Sequence, residues 1–148
     1  MRAIKTATAL VLVGACCGGL SGCGSGSGSD LPLVPVSGRV TFEGGPPPAG
    51  GKVTFVQVSG SGLAGMPNRP AQAGFGTDGY FAATSFEKGD GLLPGRYIAT
   101  VICMDGEPTD TRPFEKITYV PLDYKAEELV VEEGQNAIEV NYNVPLKK

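Results

Sequence analysis

Between Asn136 and Val144 the chain reads NAIEVNYNV, in which Ile138, Val140, Tyr142 and Val144 alternate with Glu139, Asn141 and Asn143. A period of two sends successive side chains to opposite faces of an extended strand, whereas a helix needs apolar residues three and four apart. Residues 34–43, VPVSGRVTFE, repeat the pattern, with Val36, Gly38, Val40 and Phe42 on one face and Ser37, Arg39, Thr41 and Glu43 on the other. Such runs cannot merge into longer elements, because 23 glycines and 12 prolines interrupt a chain of only 148 residues. There is no G-X-Y period to make this collagen, and an apolar fraction of 41% is too high for a disordered chain. Short apolar strands between many turns specify an all-β domain.

The remaining runs fill in the order. GGPPPAGG (44–51) breaks the first strand, and KVTFVQVS follows with Val53 and Phe55 as core residues. Residues 59–70, SGSGLAGMPNRP, read as a loop. AQAGF is a short third strand, TDG (77–79) a turn, and YFAATSF the returning arm of a hairpin. In LLPGRYIATVIC, Pro94 marks a strand entry, since proline cannot donate to a ladder. Tyr97 can fold its hydroxyl back on that corner. Strand 97–104 is apolar on both sides, which places it centrally. Residues 105–126 are polar and loop-like, and ELVVEEG with NAIEVNYNV forms a closing hairpin. The total is seven strands and no helix after the N-terminal segment.

That segment has its own chemistry. Arg2 and Lys5 precede the apolar Thr6–Ala15, which is too short to cross a bilayer at about 20 residues per span. Leu20, Ser21 and Gly22 then lead to Cys23, and Gly24–Ser29 is a glycine-serine run. This arrangement resembles the lipobox of bacterial lipoproteins, in which a peptidase cuts before a cysteine whose sulfur carries lipid. Val13-Gly14-Ala15-Cys16 is a second, poorer lipobox that would leave a stunted apolar region, and ordinary secretory cleavage with Cys23 unmodified is a third reading. The resemblance implies a cleaved signal peptide over 1–22, a lipidated cysteine and tether over 23–33, and a domain over 34–148. Multiple acyl chains at about 0.8 kcal/mol per buried methylene hold such a domain at a membrane without a transmembrane helix. Gly24 is not the aspartate that marks inner-membrane retention in well-studied lipoproteins, so the resemblance favours the outer membrane facing the periplasm, or the cell surface.

Charge and missing residues narrow the chemistry. Without Arg2 and Lys5 the domain keeps 10 basic and 15 acidic residues, a net charge of −5, and has no basic footprint for nucleic acid. The sequence has no histidine, which excludes Ser-His-Asp and Cys-His catalysis and imidazole ligation. Once residues 1–22 are removed, Cys23 and Cys103 remain; with Cys23 acylated, no disulfide framework is available, and Cys103 reads as a buried inert thiol.

The order VSGRVTF (36–42), GGKVTFV (50–56), TDGYF (77–81), GDGLLPGRYIATV (89–101) and VPLDY (120–124) resembles small bacterial lipoproteins with a carboxypeptidase regulatory-like, or transthyretin-like, β-sandwich. The resemblance implies a single seven-stranded Greek-key sandwich, transthyretin-like or immunoglobulin-like, with no catalytic residues. The hydrolases among transthyretin-like proteins depend on histidines and a C-terminal Tyr-Arg-Gly-Ser, whereas this chain ends NVPLKK.

Residues that invite a site have plainer readings. Asp78, Asp90 and Asp105, each followed by glycine, offer one carboxylate where calcium wants six to eight oxygens, and read as turns. Glu127, Glu128, Glu132 and Glu133 flank a strand and read as a solvated edge rather than an acid–base pair. Phe75, Tyr80, Tyr119 and Tyr124 are the aromatics near loops, with Tyr119 and Tyr124 the candidate ligand contacts and loops 59–76 and 105–126 the places for recognition. No metal or other cofactor is expected. The leading expectation is a non-enzymatic, lipid-anchored envelope module, structural or protein-binding; the alternative is a carbohydrate- or peptide-binding module using loop aromatics.

Overall fold

In the computed structural model residues 31–59 and 70–148 are described. Leu20, Ser21, Gly22, Cys23 and most of the 59–70 loop lie outside them. The described chain is an all-β sandwich: β1 (Val36–Phe42), β2 (Gly51–Ser59), β3 (Ala71–Phe75), β4 (Tyr80–Ala82), β5 (Gly95–Cys103), β6 (Glu128–Val131) and β7 (Ile138–Val144). They form a three-stranded sheet, β4-β1-β7, and a four-stranded sheet, β3-β2-β5-β6.

Alternation translates directly into the core. Val36, Val40 and Phe42 of β1, Val53 and Phe55 of β2, Tyr97, Ala99 and Val101 of β5, and Tyr142 and Val144 of β7 are all buried. The two sheets meet through aromatic rings. Phe55 lies 6.1 Å from Phe81 centroid to centroid, and Phe81 stacks on Tyr142 at 5.9 Å and 19°. Burying side chains of this size contributes roughly 1.5–3 kcal/mol each.

Four expectations are corrected. First, β3 and β4 are not a hairpin: β3 pairs antiparallel with β2, and β4 pairs antiparallel with β1. The 76–79 turn carries the chain across the sandwich because β1 captures it at once, Val40 N–H donating to Gly79 O at 2.9 Å. One bridge, Gln72↔Thr84, is all that joins the two arms, and β4 stops at Ala82. Second, β6 and β7 are not a hairpin either. β6 pairs antiparallel with β5, and β7 runs parallel to β1 in register Val36↔Ile138 through Phe42↔Val144. Alternation fixes which way a side chain points, not which neighbour its backbone finds.

Third, residues 105–126 include one helical turn, α1 (Phe114–Ile117). The segment folds back on the end of β5, with Asp105 N–H to Ile117 O and Tyr119 N–H to Cys103 O both at 2.9 Å, and buries Ile117 and Val120. Fourth, β5 does lie inside its sheet, between β2 and β6, but only one of its faces is covered. Ile98 points to solvent and is 43% exposed, opposite Val56 on β2.

The Tyr97 corner forms as read. Its hydroxyl donates to Leu93 O at 2.8 Å, tying the Pro94-Gly95 entry to the strand it opens.

Candidate functional site

The two flanks of the sandwich are built differently. Where β3 and β4 approach each other, Gln72 and Thr84 exchange both backbone hydrogen bonds, at 3.0 and 2.9 Å. The loop that follows is held by Asp90, whose carboxylate accepts from the N–H groups of Ser85, Phe86 and Glu87 at 2.8, 2.9 and 2.8 Å. On the opposite flank β6 and β7 end their sheets. A groove of about 370 Å³ lies between them, walled by Tyr124, Lys125, Glu127 and Glu128 on one side and Val140–Asn143 on the other.

The strand pairing decides what faces this groove. Ile138 donates N–H to Pro35 O, and Val144 O accepts from Glu43 N–H. In a strand the N–H and C=O of one residue point the same way and reverse at the next. The even-numbered residues of β7 therefore turn their backbone groups to β1. Glu139, Asn141 and Asn143 turn theirs outward, on the groove side. Asn141 also places Oδ1 2.9 Å from Arg39 N–H, and Asn143 Oδ1 accepts from Gly44 N–H at 2.9 Å, so both amide side chains are fixed.

Beside the groove a buried hydroxyl is left over. Tyr142 is 4% exposed, and its hydroxyl has no hydrogen-bond partner among the described residues. Burial pushes its pKa well above the usual tyrosine value, with Tyr124 and Glu127 adding to the shift. Those two residues belong to the groove wall, so the hydroxyl lies within their electrostatic reach. A buried polar group without a partner costs about 1–3 kcal/mol, and its position marks where the fold is least satisfied.

The sequence candidates scatter. Tyr124 lines the groove, half-buried, with its pKa raised by burial and then by Glu127. Tyr119 does not join it: half-buried against the core, it holds its backbone between Cys103 O and Lys147 N–H, both at 2.9 Å. Phe75 is no loop aromatic but a core residue, 6% exposed, because β3 alternates Ala71, Ala73 and Phe75 inward. Tyr80 is 52% exposed on the outer face of the three-stranded sheet, directly opposite Arg39, which is itself opposite Asn141. These three, with Ser37 and Glu139, line a shallower depression of about 260 Å³. Asn141 borders both hollows, yet no sequence signal singled it out, because an asparagine alternating with valine reads only as outward and polar.

The acidic residues have structural work. Asp78 Oδ1 accepts from Tyr80 N–H at 3.2 Å, and Gly79, Gly91 and Gly106 all adopt the positive φ of turn glycines. Asp105 pairs with Arg112 at 2.7 Å in solvent. Glu128 pairs with Arg96 at 2.7 Å across the β5–β6 ladder, and Glu127, Glu132 and Glu133 lie exposed around the edge strand β6. Cys103 is fully buried, its thiol donating to Ala49 O at 3.3 Å, and burial pushes its pKa up.

Comparison with protein-family models, with curated proteins and with solved structures finds no match to this chain.

Proposed function

We propose that this protein is a non-enzymatic, lipid-anchored module of the bacterial cell envelope that works by binding. The reading begins with Leu20-Ser21-Gly22-Cys23 behind a charged and apolar leader, followed by a glycine-serine tether. Acylated Cys23 would hold the domain at a membrane, the outer membrane favoured, facing the periplasm or the cell surface. The finer fold proposed is a Greek-key sandwich of the transthyretin-like or carboxypeptidase regulatory-like kind, supported by the Tyr97–Leu93 corner bond.

One observation carries the binding role: the β6–β7 flank places outward-turned backbone groups, fixed amides and a half-buried tyrosine along one groove. Asp90, Asp105 and Glu128 are by contrast engaged in a loop anchor and in ion pairs. Envelope proteins are the partners first in view. Mass spectrometry of the native protein should find an acylated Cys23 as first residue, and inhibiting lipoprotein signal peptidase should leave full-length precursor. Release of soluble protein with a free Cys23 thiol would remove the anchor.

A saccharide-binding role has its own support in Tyr80, an exposed ring beside the planar side chains of Arg39 and Asn141. Cell-wall glycan binding that disappears on Tyr80→Ala or Tyr124→Ala would establish it, and binding that survives both would discard it.

A further inference from the structure

Among the described residues, the free edge of β7 is the longest. β7 has seven residues, against five in β3, three in β4 and four in β6, the other three strands that end a sheet. β3 and β4 are joined at Gln72↔Thr84, and β6 is ringed by Glu127, Glu128, Glu132 and Glu133, the usual protection of an edge. β7 has one acid, Glu139, and two asparagines on its outer face. Its inner face is also incompletely covered. Ile138 and Val140 point the same way as Tyr142 and Val144, which are 4% and 0% exposed, yet both are only half-buried.

We infer that β7 is a strand-addition site, and that its occupant is an extended peptide segment of a partner protein. The peptide would take the ladder positions offered by Glu139, Asn141 and Asn143, a stretch of about 13 Å. Its inward side chains would be β-branched or otherwise apolar and would cover Ile138 and Val140. Its outward ones would be hydroxyl-bearing or basic, opposite Glu139 and the two asparagines. Three acids, Glu127, Glu128 and Glu139, stand around this edge against Lys125 and the Arg96 paired with Glu128, so a peptide with basic side chains meets opposite charge, whereas a second copy would bring the same acids against it. The inference rests on the reading of the domain as a binding module and is independent of the lipid anchor.

The test is selection of random linear peptides on phage against the full chain in detergent micelles, followed by affinity measurement with the synthetic peptides recovered. Selected sequences should alternate apolar residues with Thr, Ser, Lys or Arg. Glu139→Pro deletes an outward N–H without touching the bonds to β1 and should weaken binding about tenfold or more, whereas Glu139→Ala, which keeps that N–H and loses only an exposed carboxylate, should weaken it about threefold or less. N-methylating alternate amides of the peptide should abolish binding to the unaltered protein, a readout that does not depend on how the proline variant folds. Failure to enrich any peptide, or binders indifferent to both Glu139→Pro and N-methylation, would overturn the inference. A concentration-dependent dimer of the protein that dissociates on Glu139→Pro, with no peptide bound, would overturn it in favour of self-pairing. An unacylated Cys23 found beside intact peptide binding would leave this site standing and remove only the anchor.

Discussion

At the β3/β4 flank backbone groups find partners and a carboxylate gathers three N–H groups; at the β6/β7 flank three residues turn their backbone away from the sheet and a buried phenol has no partner among the described residues. Both flanks close the same core with strands of the same alternating sequence. The difference lies in polar satisfaction, and it separates a flank that stabilises from one available for recognition. Stability and function draw on the same backbone groups, and a group already bonded within the fold cannot also bind a partner.

The largest effect should come from forcing the recognition flank apart. Gly38 faces inward on β1 opposite Val140, and a Cβ there would overlap the Val140 carbonyl oxygen and stand 3.2 Å from Phe81 Cζ. Both neighbours are held, one by the β1–β7 ladder and one by the aromatic stack. Gly38→Ala is expected to cost about 3 kcal/mol or more in urea unfolding. Amide exchange should show where the strain goes: protection falls first at Val140 and Tyr142, while Gln72 and Thr84 keep theirs. Equal loss on both flanks would mean that they do not separate energetically.

The next effect belongs to the other flank. Asp90→Ala removes the acceptor of three N–H groups at once and should cost about 3 kcal/mol, while Asp90→Asn, which keeps one acceptor oxygen, should cost less. A urea midpoint unchanged by Asp90→Ala would show that water replaces the carboxylate there, and the contrast between flanks would lose its energetic meaning.

These positions also show how far the sequence could be read. The seven strands and the inward faces of β1, β2 and β7 were legible because alternation acts residue by residue, whereas the inward face of β3 was missed at Phe75 and that of β5 was hidden by apolar residues on both sides. The Tyr97 corner was legible because proline, glycine and tyrosine each restrict one local geometry. Pairing was not: whether YFA returns to β3 or crosses to β1 depends on a ladder forty-odd residues upstream in the chain, which no local pattern encodes. The candidate site suffered from the same limit. Tyr124 could be named as an aromatic near a loop, but its place beside β7 follows from the parallel β1–β7 pairing, and so does the outward turn of Asn141. Sequence patterns identified the groups, while long-range pairing decided which of them met.

The smallest effects give the sharpest comparison, because two buried tyrosines differ in one bond. Tyr97 donates its hydroxyl to Leu93 O, whereas the Tyr142 hydroxyl has no partner among the described residues. Tyr97→Phe should lower stability by about 1 kcal/mol, the net worth of a typical hydrogen bond. Tyr142→Phe removes a polar atom that gains nothing in the folded state, and should leave stability unchanged or raise it by up to about 1 kcal/mol. Alkali separates the two further. Burial raises the Tyr97 pKa from 10.0 to about 12, so the folded state keeps the proton at a pH where the unfolded chain has lost it. Stability from this source is complete below pH 10 and is lost progressively as pH rises from 10 to about 12. Tyr142 is shifted in the same direction, with Tyr124 and Glu127 contributing beyond burial. Tyr142→Phe should therefore flatten the fall of the urea midpoint above pH 10 without lowering the midpoint at pH 7, whereas Tyr97→Phe should flatten that fall and lower the midpoint at pH 7. A Tyr142→Phe variant that loses about 1 kcal/mol at neutral pH would mean that the hydroxyl is satisfied in solution, by water or by Glu127, and the β6/β7 flank would then be as complete as its opposite.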